Sequence, residues 1–316
     1  MDILFAANET AWGGFLGLIR SAVPEHRFHA TGGFRADSLA GYDVLIPTMT
    51  GITRELLETA DGLKLVQQCG AGLEGVDMEA ARDLGIDVAN VPTDSSGNAD
   101  SVAEIGVYLI IGLARNARGM AGSLSARKMG QPRGMALTGR TVGIVGLGGI
   151  GRAMIRRLRP FGVRLIGLKQ SDPETAGREL GLDWAGGPDQ LEELLGRSDF
   201  VVLSLPMNES TRGLMNRRTF SRMKPGAFLI NLSRGGLVER EALEESLSTG
   251  YLAGAGLDVF WEEPPDPDDP VFLQNVLATP HVAGSTDLSM NGIVAAVAEN
   301  LRRIEAGEEP LNVRNR

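Results

Sequence analysis

The sequence predicts two α/β domains with parallel sheets and a cleft between them, the first domain being discontinuous. Short apolar runs of strand length alternate with helical segments along all 316 residues, which is typical of βα units in a parallel sheet. A glycine-rich turn follows the predicted strand Thr141–Val145 and begins a second series of such units. The last helix, about Asp287 to Ala306, has no strand left in that series to pair with. We therefore expect it to pack on the first domain.

The composition is that of a globular, acidic protein. Apolar residues make up 43% of the chain, and 31 Lys and Arg stand against 40 Asp and Glu, a net charge of −9. This balance disfavours nucleic acid or an anionic membrane as a partner. Cys69 is the only cysteine, so neither an intrachain disulfide nor a thiolate metal cluster is expected. No signal peptide or membrane-spanning run is recognised, and we expect a cytoplasmic protein.

Residues 1–98 and 284–316 are predicted to form the first domain. Its second predicted strand is preceded by a polar stretch that contains His26 and His29. Its third predicted strand is followed by a glycine-rich turn, Gln67–Asp77, at the carboxyl end of that strand. The four strands expected here are Asp2–Ala6, Asp43–Ile46, Leu63–Val66 and Gly85–Asn90.

Residues 99–283 are predicted to form the second domain. An almost wholly apolar helix, Ala99–Arg115, is expected to cross into it and to be buried. Residues 119–138 have no clear period, which indicates an irregular segment, and the prolines within 264–270 indicate a loop. The six strands expected here are Thr141–Val145, Arg164–Leu168, Phe200–Leu205, Ala227–Ser233, Ala253–Phe260 and Asn275–Thr279.

The turn after Val145 has the spacing of a dinucleotide-binding motif. Gly146 allows a sharp turn, Gly148 lets a pyrophosphate approach bare backbone, and Gly151 lets the following helix pack close to its strand. The helix that begins at about Gly149 and Ile150 directs free N–H groups toward the phosphates. The motif lies between a predicted strand and a predicted helix, which is the context that it requires.

Three side chains suited to catalysis follow neighbouring strands of the second domain. Ligands bind beyond the carboxyl ends of parallel strands, and Arg234, Glu263 and His281 each follow one. Taken singly, each is also compatible with an ordinary loop or core residue, and Glu262 competes with Glu263. His281 is the only imidazole placed for acid–base chemistry at this edge.

Seven stretches in order resemble the D-isomer-specific 2-hydroxyacid dehydrogenases, over essentially the whole chain. They imply two Rossmann-like domains, a substrate (catalytic) domain formed by residues 1–98 and 284–316 and a dinucleotide-binding domain formed by residues 99–283. The matching stretches are Gly70–Asp77, Ser101–Glu104, Thr141–Gly151, Leu203–Pro206 with Thr211, Asn231–Gly236, Gly256–Phe260 with Glu263-Pro264, and Thr279–His281.

The resemblance implies a role for each matched residue. Arg234 binds the substrate carboxylate and carbonyl, His281 donates or accepts the proton, and Glu263 pairs with His281. The amides of Ala71 and Gly72 help to hold the carboxylate. No metal is required, because a nicotinamide supplies the hydride, and a homodimer is implied. The remaining cofactor contacts are Gly146, Gly148, Gly149, Ile150, Gly151, Leu205, Pro206, Thr211, Leu232, Ser233 and Asp258, with His281.

At two positions the chain departs from the cofactor site that is usual in this family. NAD enzymes place an acidic residue about 20 residues after the glycines, where this chain has Lys169, followed by Gln170 and Ser171. These side chains favour a 2′-phosphate, so NADP is the preferred cofactor and NAD is possible. In the alternative, Asp172 takes the acidic role, although Pro173 after it indicates a helix start. The second departure is Gly149, where many relatives carry arginine, so phosphate binding is expected to depend more on amides and on Arg152.

The predicted function is reduction of a small 2-keto acid such as glyoxylate or hydroxypyruvate. The alternative is a cofactor-sensing binding protein of the corepressor type, for which the acidic composition gives no support. The length is not expected to accommodate the regulatory extension of long phosphoglycerate dehydrogenases. Trp12 and Trp261 are candidates for contacts near the substrate, but the sequence does not place them.

Overall fold

The computed structural model describes residues 1–316. The chain forms two compact units, Met1–Asn98 with Ser285–Arg316 and Ala99–Gly284. Each unit is an α/β structure around one parallel sheet, so the prediction of two α/β domains with parallel sheets, the first of them discontinuous, is confirmed.

The strands are short and the helices vary widely in length. The strands are β1 Asp2–Phe5, β2 Arg27–Ala30, β3 Val44–Ile46, β4 Leu65–Gln67, β5 Asp87–Ala89, β6 Thr141–Val145, β7 Arg164–Leu168, β8 Trp184–Gly186, β9 Phe200–Leu203, β10 Phe228–Asn231, β11 Gly254–Leu257 and β12 Val276–Ala278. The helices are α1 Ala11–Ala22, α2 Arg54–Leu57, α3 Met78–Asp83, α4 Asn98–Ala114, α5 Ala117–Ser125, α6 Gly149–Leu158, α7 Pro173–Leu180, α8 Leu191–Arg197, α9 Arg217–Phe220, α10 Arg240–Ser248 and α11 Asp287–Glu305.

The first unit has a five-stranded sheet in the order β2-β1-β3-β4-β5. α11 packs against α1, and both contribute apolar side chains to one core, among them Phe15, Ile19, Val297 and Leu301. Each such buried side chain contributes about 1.5–3 kcal/mol relative to an exposed one. The C-terminal helix is therefore an integral part of the first unit.

The second unit has a seven-stranded sheet in the order β12-β11-β10-β9-β6-β7-β8. Successive residues of β9 enter opposite cores, Val201 and Leu203 on one face and Val202 on the other. A sheet covered on both faces explains why its strands are continuous apolar runs. From β6 the chain continues to β7 on one side of the sheet and returns to β9 on the other side. Ligands bind at such a switch point.

Two edge strands and one helix were absent from the sequence prediction. The polar stretch with His26 and His29 contains β2, in which only Phe28 is buried. An edge strand with one covered face lacks a continuous apolar run, and β8, at the other sheet's edge, is similarly short. The segment 119–138 was wrongly predicted to be irregular throughout, because α5 has no buried residue and hence no apolar pattern.

No helix of the structure has both the length and the apolar character needed to cross a membrane.

Candidate active site and cofactor site

The glycine turn joins β6 to α6 in the second unit. Gly146 has a φ of +104°, a backbone conformation that favours glycine. A Cβ on Gly151 would lie 2.1 Å from the carbonyl oxygen of Gly146, so helix and strand approach too closely for any side chain there. Gly148 precedes α6, and nothing lies within 4 Å of the position of its absent Cβ. Open space thus adjoins the first-turn N–H groups of α6, with Gly149 and Ile150 in that turn.

The loop after β9 lies against the same turn. Ser204, to which the sequence analysis assigned no role, donates from Oγ to the carbonyl oxygen of Gly146 at 2.8 Å. Leu205 and Pro206 follow, and the Thr211 hydroxyl donates to the carbonyl oxygen of Pro206 at 2.9 Å. The ends of β6 and β9 are therefore joined at the switch point of the sheet.

The end of β7 carries a cation and no carboxylate. Lys169 follows the strand directly and is half-buried, while Gln170 and Ser171 are exposed. Asp172 is the N-cap of α7, and its Oδ1 accepts a hydrogen bond from the N–H of Thr175 at 3.2 Å. The hydrogen bonds from Thr175 hold the pKa of Asp172 below its usual range, with smaller contributions from the charges of Arg178 and Lys169.

Glu263 and His281 form a close pair beyond β11 and β12. Oε2 of Glu263 lies 2.6 Å from Nδ1 of His281, and Oε1 accepts a hydrogen bond from the N–H of Phe260 at 3.0 Å. Burial acts to raise the pKa of Glu263. The hydrogen bond and charge of His281 outweigh it, with help from the Phe260 N–H and the charge of Arg234, and the net pKa is lowered. Glu262, the competing residue in the sequence, is exposed.

Asp258 holds the backbone around His281 in place. Its carboxylate accepts hydrogen bonds from the hydroxyl of Thr279 at 2.6 Å and from the N–H groups of Val282 at 3.0 Å and Ala283 at 3.1 Å. Burial raises the pKa of Asp258, against these hydrogen bonds and the charge of His281. This positioning role was not recognised from the sequence, where only the Thr-Pro-His spacing pointed to the loop.

Arg234 follows β10 and is half-buried. Its Nη1 donates to the carbonyl oxygen of Ser233 at 2.7 Å, and Nδ2 of Asn231 donates to the carbonyl oxygen of Arg234 at 2.8 Å. A Cβ on the next residue, Gly235, would lie 2.0 Å from the carbonyl oxygen of Phe260. The loops after β10 and β11 therefore touch, and this contact brings Arg234 toward Glu263.

Buried residues complete the same edge. Leu232 and Ser233 are both under 9% exposed, and the N–H of Ser233 donates to Oδ1 of Asn231 at 3.1 Å. Trp261 packs against the core of the second unit and donates from Nε1 to the carbonyl oxygen of Val238 at 2.6 Å. Trp261 thus serves the fold of the loop that carries Glu263.

The predicted carboxylate-binding amides belong to the first unit. Ala71 and Gly72 follow β4, and the carbonyl oxygen of Ala71 accepts a hydrogen bond from Nδ2 of Asn90 at 2.7 Å. Trp12, also in this unit, lies in an edge-on ring contact with Phe34, with ring centroids 6.5 Å apart.

Comparison with known proteins identifies the family. The model of the D-isomer specific 2-hydroxyacid dehydrogenase, NAD binding domain, matches residues 107–283, more than half of the chain. The chain belongs to this family. The glyoxylate reductase of Thermococcus litoralis is 35% identical over 284 residues, covering 87% of this chain and 84% of the relative. Because these relatives are dehydrogenases and reductases, the comparison does not favour the alternative of a corepressor-type binding protein.

Other members of the 2-hydroxyacid dehydrogenase family are equally similar. The D-3-phosphoglycerate dehydrogenase of Methanocaldococcus jannaschii is 36% identical over 276 residues, covering 86% of this chain. The chain spans about half, 52%, of the length of that relative. The solved structure of the TT0316 protein of Thermus thermophilus superposes with a TM-score of 0.85 at 31% identity, covering 99% of both chains.

Proposed function

We propose that the protein is an NAD(P)H-dependent reductase of small, unphosphorylated 2-keto acids such as glyoxylate or hydroxypyruvate, with a preference for NADPH. The observation that carries the proposal is the 2.6 Å contact between Glu263 and His281, on the same sheet edge as Arg234 and the glycine turn. This combination supplies a proton donor, a cation for the substrate and a dinucleotide cradle.

His281 is the proposed proton donor. Its Nδ1 faces Glu263, so the other ring nitrogen, Nε2, is the one that exchanges the proton with the substrate oxygen. Against burial, the hydrogen bond and charge of His281 hold the pKa of Glu263 below its usual value, so this carboxylate stays ionised beside the ring. It also fixes the ring, since the same carboxylate is anchored by the N–H of Phe260.

Arg234 is the proposed carboxylate-binding residue. A guanidinium pairs with a carboxylate through two parallel hydrogen bonds, and its charge stabilises the negative charge that develops on the carbonyl oxygen. The hydrogen bond from Nη1 to the carbonyl oxygen of Ser233 restricts the side chain before the substrate arrives. The amides of Ala71 and Gly72 are proposed to hold the same carboxylate.

The chain's own residues fit a dinucleotide. Gly148 adjoins open space, and the N-terminal end of α6 offers unpaired N–H groups and a positive dipole end to a pyrophosphate. When bound, the nicotinamide supplies the hydride. The backbone N–H of Lys169 donates to the carbonyl oxygen of Gly186, while its side chain makes no hydrogen bond or ion pair. The Asp172 carboxylate is occupied as the N-cap of α7. Both facts support a 2′-phosphate partner for Lys169.

The first unit supports an unphosphorylated substrate. In the segments that directly follow β1 to β4 (6–10, 31–36, 47–51 and 68–75) Arg35 is the only cation, and it is paired with Asp37 at 2.6 Å. Exposed apolar side chains stand near the same strand ends, namely Trp12, Phe34 and Met49. Such an edge lacks the unpaired cations that would stabilise a dianionic phosphate.

The deciding experiment is a spectrophotometric assay of NADPH and NADH oxidation with a panel of 2-keto acids. We expect the highest kcat/KM with glyoxylate or hydroxypyruvate, and poor use of 3-phosphohydroxypyruvate and of NADH. An absence of turnover with every 2-keto acid would contradict the proposed activity. Preference for the phosphorylated acid would contradict only the substrate class.

The homodimer and the cytoplasmic location also remain proposals. Sedimentation velocity over a range of concentrations tests the first, and fractionation of the source cells tests the second.

A further inference from the structure

Two carboxylates and one imidazole, none of them assigned to the reaction, meet in the first unit. Glu25 and His26 lie in the turn between α1 and β2, and Glu305 is the last residue of α11. One potential ligand atom from each side chain lies within 4.8 Å of the others. The cluster therefore joins the N-terminal part of the unit to its C-terminal helix.

His26 is an unusual histidine. Its side chain is 0% exposed, and neither Nδ1 nor Nε2 makes a hydrogen bond. Nε2 lies 4.0 Å from Oε2 of Glu305, which is beyond hydrogen-bond range. Buried polar atoms in proteins are nearly always paired. A buried, unpaired imidazole beside two carboxylates thus points to a ligand that the three side chains share.

The electrostatic setting of the cluster favours a cation. Glu305 stands at the C-terminal end of α11, where the helix dipole is negative and disfavours a carboxylate. Arg302, one turn earlier, donates from Nη2 to the carbonyl oxygen of Ala22 at 2.9 Å and is engaged there. Both carboxylates are exposed, so an ion from solvent can reach them directly.

We propose that Glu25, His26 and Glu305 bind one Zn²⁺. An imidazole with two carboxylates suits zinc, whereas Mg²⁺ and Ca²⁺ prefer ligands that are all oxygen. Zinc bonds of about 2.0–2.2 Å place neighbouring ligand atoms roughly 3.3 Å apart in a tetrahedral site. The ligand atoms lie 4.0 Å apart between Nε2 of His26 and Oε2 of Glu305 and within 4.8 Å of one another across the cluster. They must therefore draw together on binding, which the exposed side chains of Glu25 and Glu305 allow. Water occupies the fourth position.

The ion has a structural role. His26 directly precedes β2, so the cluster lies at the amino end of that strand, whereas ligands that react bind beyond the carboxyl ends. A zinc ion here crosslinks the turn after α1 to the end of α11. It stabilises the discontinuous first unit and leaves the chemistry of the second unit unchanged.

In the test, the full chain is first treated with a chelator to remove bound metal. It is then titrated with ZnCl₂ near neutral pH, and binding is measured by calorimetry. We expect one Zn²⁺ bound per chain and a thermal unfolding midpoint raised by several degrees at saturation, with no such effect of MgCl₂. Glu25→Gln and Glu305→Gln should each weaken zinc binding at least about tenfold. Glu299→Gln, on the same helix but outside the cluster, should bind as the wild type, and kcat should be alike in all four proteins.

Substitution of the buried His26 risks the fold, so the two exposed carboxylates carry the test. Failure of the wild type to bind Zn²⁺ would overturn the proposal, as would unchanged binding in Glu305→Gln. A direct ion pair between His26 and Glu305 predicts instead that Glu305→Gln lowers the unfolding midpoint without metal and that Zn²⁺ has no effect.

Discussion

Oε2 of Glu263 lies 2.6 Å from Nδ1 of His281, and the two residues follow neighbouring strands of the parallel sheet. A different hydrogen-bonding group fixes the position of each residue. The N–H of Phe260 anchors Glu263, while Asp258 binds the backbone N–H groups of Val282 and Ala283 next to His281. The orientation of the pair is therefore determined by the two loops, before any substrate arrives.

Replacement of His281 tests the proposed proton donor. His281→Asn should lower kcat by about 10² to 10⁴, the usual range for loss of a general acid, while cofactor affinity and the unfolding midpoint change little. Steady-state kinetics and fluorescence titration with NADPH measure these effects. His29→Asn, in the first unit, is the matched control and should keep wild-type turnover. Near-wild-type turnover in His281→Asn would remove this residue from the mechanism.

Replacement of Glu263 tests the pair through pH. The hydrogen bond and charge of His281 outweigh burial and hold the pKa of Glu263 below its usual value, so the ionised carboxylate and the proton carried by the pair stabilise each other. Reduction needs that proton, so activity is lost as pH rises. Glu263→Gln should therefore shift the alkaline limb of the kcat/KM profile to lower pH.

Glu262→Gln is the natural control for this shift, because Glu262 is exposed and adjacent in sequence. Its profile should match that of the wild type. An unmoved alkaline limb in Glu263→Gln would show that the pair does not govern the proton.

Replacement of Asp258 tests the support of the His281 loop. Asp258→Asn replaces one carboxylate oxygen by an amide NH₂, which donates hydrogen bonds and cannot accept them. At least one buried donor then loses its partner, which costs about 1–3 kcal/mol. We expect a lower unfolding midpoint and a reduced kcat with KM for NADPH less affected. Unchanged stability and kcat would show that the loop holds its conformation without this carboxylate.

A methyl group at Gly235 tests the contact between the loops that carry Arg234 and Glu263. The added Cβ would lie 2.0 Å from the carbonyl oxygen of Phe260, so the backbone must move. Gly235→Ala should lower both stability and kcat. Gly196→Ala, in α8 with 3.6 Å to its nearest neighbour, should be neutral or stabilising. Equal behaviour of the two variants would contradict a requirement for this close approach.

The sequence predicted the elements that are buried and missed those that are not. Strands of the second sheet were recognisable because both faces of the sheet are covered. By contrast, β2 buries only one residue and α5 buries none. Arg234, Glu263 and His281 were identified because each follows a strand in a parallel sheet. Asp258 and Ser204 act by hydrogen bonds to backbone atoms distant in sequence, and no local pattern reports such bonds.

The cofactor preference depends on Lys169, directly after β7, where an NAD enzyme would place a carboxylate. A carboxylate bonds the ribose 2′-hydroxyl and repels a 2′-phosphate. An ammonium group reverses both effects, since it gains a dianionic partner. One such contact is expected to favour NADPH by roughly ten- to a hundredfold in kcat/KM.

Lys169→Asp should therefore weaken the use of NADPH far more than that of NADH, and the wild-type preference should decline as salt is raised. Measurement of kcat/KM for both cofactors at low and high salt provides the test. Lys128→Asp makes the same charge change at an exposed loop position and should leave the preference intact. If the wild type uses both cofactors equally or favours NADH, Lys169 does not select the phosphate. Asp172 would then have to leave its cap on α7 to bind the ribose, and Asp172→Asn would lower the affinity for NADH.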